Sequence, residues 1–120
     1  MDRPIVYQKR LSFTEIEIIV MQLGKDYTIQ LKGGDRPHIG CTVLAIPRPS
    51  LNNDGTTSTT ASVINVTGHK DEVLCRYLAE EVSKRKQAVV VCTGGFHIDD
   101  LLESQISEII ETIKEMERHI

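Results

Sequence analysis

The chain has 120 residues, with 14 Lys and Arg against 17 Asp and Glu and a formal net charge of −3 at pH 7. That is the length of one ordinary domain, and the mild acidity lacks the clustered Lys and Arg that displace counterions from nucleic acid or hold an anionic membrane surface. No apolar run approaches the ~20 residues that span a bilayer and the opening MDRPIVYQKR has no apolar signal-peptide core, so a single domain over 1–120 is expected, cytoplasmic, with neither nucleic acid nor membrane as partner.

In chain order, Ile16, Ile18 and Val20 recur at every second position, Gly24-Lys25-Asp26 breaks the run, and Tyr27, Ile29 and Leu31 alternate with polar neighbours. This is the pattern of a β-hairpin. The segment from Gly33 to Gly40 is expected to end the second strand, and Cys41 to Ile46 to form a third that stops at Pro47. Pro47 to Ala61 holds two prolines, Asn52-Asn53-Asp54-Gly55 and a Thr/Ser run, and reads as a long mobile loop. Ser62 to Thr67 follows as a fourth strand, then a helix in which Val73, Leu74, Tyr77, Leu78 and Val82 keep helical spacing, ending in Lys84-Arg85-Lys86 at the negative end of its dipole.

Ala88 to Cys92 is an apolar, β-branched fifth strand, with Thr93-Gly94-Gly95-Phe96-His97 expected as the loop after it. A second helix is expected from near Asp99, whose carboxylate would cap it, with Leu102, Ile106, Ile109, Ile110, Ile113 and Met116 along one face. Cys41, Cys75 and Cys92 sit in apolar patterns without C-x-x-C spacing, as buried reduced thiols do. The fold class is therefore α+β: a mixed five-stranded sheet in the order β-β-β-loop-β-α-β-α, helices packed on the sheet.

This topology predicts that three loops meet. With the fourth and fifth strands parallel, Thr67-Gly68-His69-Lys70 and Thr93 to His97 leave at the same carboxyl edge, where ligands bind in such sheets, and a third strand antiparallel to the fourth brings Gly33 to Gly40 there too. The edge would gather Arg36, His38, His69, Lys70 and His97 among glycines that let a ligand approach backbone amides. Gly68, His69 and Lys70 open a helix, where free amides and the dipole favour a phosphate. Histidine can donate to phosphate, bind a metal or exchange protons, so residue type leaves those roles open. No G-x-S-x-G, P-loop, Rossmann or H-E-x-x-H motif is present. Asp99 and Asp100 fit a carboxylate behind a metal-bound histidine or simple helix caps, and Arg48 and Ser50 fit either an anionic ligand or an exposed polar loop.

Four segments, Gly33-Gly34-Asp35-Arg36-Pro37-His38-Ile39-Gly40, Pro47-Arg48-Pro49-Ser50-Leu51, Gly68-His69-Lys70-Asp71-Glu72 and Phe96-His97-Ile98-Asp99, together resemble the small D subunit of gallate-type decarboxylase clusters, the LpdD-like prenylated-flavin chaperones. The resemblance runs from about Ile16 to Ile113. It implies a non-catalytic protein that receives prenylated FMN from a flavin prenyltransferase and passes it to a UbiD-type decarboxylase. It also implies a fold like that of proteasome-assembly chaperones and a homodimer. The residues it carries over as cofactor-binding are Arg36, His38, Arg48, Ser50, His69, Lys70 and His97, with phosphate near Gly68 to Lys70. Two other readings compete. One is an enzyme in which His38, His69 and His97 hold a divalent metal with an open position for water. The other is a protein-assembly factor that works through a surface, the long loop above all.

Overall fold

A computed structural model describes residues 3–66 and 70–120, with Lys70 described by its backbone alone. Eight elements follow one another: β1 (Ile5–Arg10), β2 (Glu15–Leu23), β3 (Asp26–Gly34), β4 (Cys41–Pro49), β5 (Thr57–Asn65), α1 (Lys70–Lys86), β6 (Val90–His97) and α2 (Glu103–Glu117). The six strands form one mixed sheet in the order β1-β2-β3-β6-β4-β5. Only β3 and β6 pair in parallel; the other four pairings are antiparallel.

The α+β class and the β2–β3 hairpin are as expected, but the sheet has six strands where five were expected. The addition is β1, an edge strand whose residues are exposed apart from half-buried Tyr7, so it carries almost no burial signal. A second correction concerns Pro47 to Ala61, which is no long loop: β4 continues to Pro49 and β5 starts at Thr57, Pro47 pairing with Thr59 and Arg48 with Ser58. Past Ala45 β4 has left β6 and keeps β5 as its neighbour, an edge position where proline is tolerated. The turn is closed by Ser50 N–H donating to the Thr56 carbonyl (2.9 Å) and by Asp54 Oδ1 accepting from Thr56 N–H (3.0 Å).

The third correction bears on function: Gly33 and Gly34 lie within β3, and Gly94 to His97 within β6, so both glycine pairs belong to strands. Fourth, α2 starts at Glu103, with Gln105 Oε1 accepting from Leu102 N–H (3.0 Å), and Asp99 does not cap it. Leu102 is exposed, whereas Ile109, Ile113 and Met116 are buried.

Both helices cover one face of the sheet. Ile16, Ile18, Ile29, Leu31, Val43 and Val90 point into that side with Leu78 and Val82 of α1, each at most 1 % exposed. Alternation along the strands leaves the other face open. Cys41, Cys75 and Cys92 are free and wholly buried in this core, as expected. Burial, then the neighbouring Cys75, pushes the Cys41 thiol up from the ordinary 9.0 to about 12. The Cys75 thiol is raised by its contact with Cys92 and by burial. With all three thiols shut off from solvent, native protein at pH 8 should resist alkylation at each position and react fully in urea, as read by intact mass. Because only the unfolded chain ionises Cys41 readily, its contribution to stability is complete below pH 9.0 and declines as pH rises toward about 12.

Candidate functional site

β3 and β6 end side by side, Gly34 opposite His97. β4 begins only at Cys41, opposite Gly94, so Gly95, Phe96 and His97 run on past it. Segment 35–40 and the first turn of α1 occupy the place where β4 would have continued. Gly40 N–H donates to the Gly94 carbonyl and Asp35 N–H to the His97 carbonyl, both at 2.8 Å. Phe96 N–H has no strand to pair with and donates instead to Asp71 Oδ1 at 2.8 Å.

That carboxylate organises the edge. Its side chain is 8 % exposed, and its other oxygen, Oδ2, lies 3.2 Å from His38 Nε2. On the opposite side of the ring, His38 Nδ1–H donates to the Arg36 carbonyl at 3.1 Å. With Nδ1–H given to that carbonyl, Nε2 donates to Asp71 Oδ2 when it too carries a proton, and the imidazole is then fixed in plane and rotation. His97 Nε2 lies 2.9 Å from Asp99 Oδ1, and Asp99 Oδ2 is 3.8 Å from the Arg36 guanidinium. The two imidazoles stand edge-on, centroids 6.3 Å apart. Arg36 and Asp99 are 71 % and 70 % exposed, so their pairing is worth at most about 1 kcal/mol and exchanges readily for a bound anion.

The structure thus brings together Arg36, His38 and His97, as the topology predicted, and adds Asp71 and Asp99. Asp71 was overlooked because an acidic residue in a first helical turn looks like an ordinary partner for the dipole. Asp99 was read as either a helix cap or a carboxylate behind a metal-bound histidine; it caps no helix and contacts His97. The glycines serve another purpose than expected. A side chain at Gly33 would strike the Phe96 ring, at Gly34 the His97 backbone, at Gly40 the Asp71 carboxylate, at Gly94 the Leu31 carbonyl, and at Gly95 the His38 ring. Their missing side chains are filled by the protein itself, which packs the edge tightly.

Thr67, Gly68 and His69, and the side chain of Lys70, lie outside the described residues. Arg48 and Ser50 are at the other end of the sheet, seven or more residues along β4 from Cys41, about 23 Å at 3.3 Å per residue. Arg48 there donates through Nε to Thr60 Oγ1 (3.0 Å) and through Nη1 to the Pro49 carbonyl (3.2 Å).

This architecture is similar to a solved one, a chain of a "Novel Chaperone Complex for Yeast 20S Proteasome Assembly", with a TM-score of 0.54 over 97 % of this chain and 99 % of that one. At 12 % identity the likeness concerns the fold. A comparison with curated proteins finds no match. The family model of the prenylated flavin chaperone LpdD-like domain, however, matches residues 11–120, from just before β2 to beyond α2. The chain belongs to that family.

As a member of the LpdD-like chaperone family it is an accessory protein and not an enzyme. Among the described residues no three His, Cys, Asp or Glu side chains are arranged to hold a metal. His69, the third histidine of the metal-dependent enzyme reading, lies outside the described residues. Also among the described residues, no helix is long and apolar enough to cross a membrane.

Proposed function

We propose that this chain binds prenylated FMN as cargo at the edge formed by Arg36, His38 and His97 and delivers it to a UbiD-type decarboxylase after receiving it from a flavin prenyltransferase. The observation that carries this is the coincidence of the LpdD-like family match with a preorganised cationic and imidazole cluster at the carboxyl ends of β3 and β6. Gly68, His69 and Lys70 directly precede Asp71 in sequence and complete the site as its phosphate-binding part. Arg36, released from Asp99, adds a guanidinium suited to a phosphate or a ring oxygen.

Arg48 and Ser50 reach the same cargo only from a second copy. The open face of the sheet, with exposed Val6, Met21, Ile46 and Ile64, supports a homodimer of this kind. Three buried reduced thiols suit the cytoplasm, where a reduced flavin is handed on.

Anaerobic titration of the purified protein with reduced prenylated FMN, followed by flavin absorbance and native mass, tests the reading. A saturable complex that reconstitutes an apo-decarboxylase is expected, and Arg36→Ala should weaken it by about tenfold or more through loss of a charged hydrogen bond. Absence of saturable binding by the unmodified chain would overturn the proposal.

A further inference from the structure

On the helix side of the same edge, a cavity of about 130 Å³ opens between α1, α2 and the end of β6. Leu74 of α1, Phe96 of β6, Leu101 of the following segment, and Ile106 and Ile110 of α2 form its walls, and Asp71 is its one polar residue. The core side chains beneath it are at or near zero exposure. Phe96 does not plug it, because the ring occupies the space left by the missing side chain of Gly33.

Asp71 and Phe96 belong to both cavity and histidine cluster. Asp71 lines the void and at the same time holds Phe96 N–H and His38, while His97 follows Phe96 on the opposite face of β6. The hollow lies on the helix face and the two imidazoles on the open face, with Asp71 at the edge between them, so a ligand that rounds this edge meets polar groups on one side and a hydrocarbon-lined hollow on the other. An apolar cavity of about 150 Å³ lined by Leu, Ile and Phe accommodates benzene, so a five-carbon unit fits a hollow of this size and chemistry.

We propose that this cavity is the subsite for the five-carbon unit that prenylation adds to the flavin, and that it lets the protein select the prenylated cofactor over ordinary FMN. The proposal rests on the prenylated-FMN reading above and identifies what distinguishes that cargo from its precursor. Five carbons are the part of the cargo that FMN lacks, and the hollow offers them no polar partner except a carboxylate already bonded to Phe96 and facing His38. Burying them favours the prenylated form by on the order of a hundredfold.

The experiment compares dissociation constants for reduced prenylated FMN and reduced FMN, measured anaerobically on the full chain and on two cavity-filling variants, Leu101→Trp and Ile106→Phe. The wild type is expected to prefer the prenylated form by on the order of a hundredfold, and each variant to bring the two ligands within about threefold while leaving FMN affinity in place. Equal affinity of the wild type for both ligands overturns the subsite while flavin binding stands. A preference retained in a variant that melts like the wild type overturns it as well. Binding of neither ligand by the wild type overturns the cargo reading and the subsite with it. The wild-type comparison needs no variant, so a variant that fails to fold does not remove the test.

Discussion

Gly94→Ala is expected to destabilise the chain by on the order of 3–5 kcal/mol, lowering Tm by about 10–20 °C. Gly94 lies in β6 between β3 and β4, paired with Leu31 on one side and Cys41 on the other. Its φ is +142°, a conformation L side chains rarely adopt, and a Cβ there would collide with the Leu31 carbonyl. That oxygen is backbone in the adjoining strand, so relief requires separating β3 from β6, the pairing that positions His97. Gly55→Ala is the control: its φ of +78° is also positive, but nothing lies within 4 Å of the new carbon, so strain alone operates and the loss is about 1 kcal/mol. Urea and thermal melts followed by circular dichroism separate the two effects, and equal losses at the two positions would show that the close approach to Leu31 is not made.

These glycines also explain what the sequence conceals. Gly33-Gly34 and Gly94-Gly95 carry strong local turn signals, and locally they are turn formers. Their strand conformation is imposed by tertiary contacts that no neighbour in sequence announces: the Phe96 ring over Gly33, the His97 backbone at Gly34, the Leu31 carbonyl at Gly94. β5 was half hidden for a related reason. Thr57 to Thr60 are polar residues of an edge strand paired only with β4, and a Thr/Ser run with so little burial looks like a loop. Where burial was deep the pattern was legible: Ile16, Ile18 and Val20 alternate because the sheet's helix face buries them, and Ile109, Ile113 and Met116 keep helical spacing because α2 buries one stripe. The meeting of His38 with His97 was legible from topology alone. The carboxylates that set their orientation were not, since a single Asp at a helix start has several common uses.

Asp71→Ala is expected to cost about 2–3 kcal/mol of stability, because it leaves the buried Phe96 N–H without an acceptor and removes the oxygen beside His38 Nε2. Flavin affinity should fall by about tenfold or more in the same variant, as His38 loses the contact that fixes its ring. Stability and positioning are separated by Asp71→Asn. The amide has the same shape, and its oxygen can still accept from Phe96 N–H, so most of the stability should survive. Its NH2 group replaces Oδ2 opposite His38 Nε2, so a protonated Nε2 loses both its acceptor and its counter-charge there, and affinity should drop nearly as far as in Asp71→Ala. Thermal melts and anaerobic titration on the three proteins read the two effects independently. Affinity tracking stability across the series would reduce Asp71 to a packing residue. Affinity lost in Asp71→Asn at nearly unchanged Tm would make it the residue through which the start of α1 positions the histidine for its cargo, and a carboxylate would then be as much a part of this binding edge as the cationic and imidazole groups that touch the ligand.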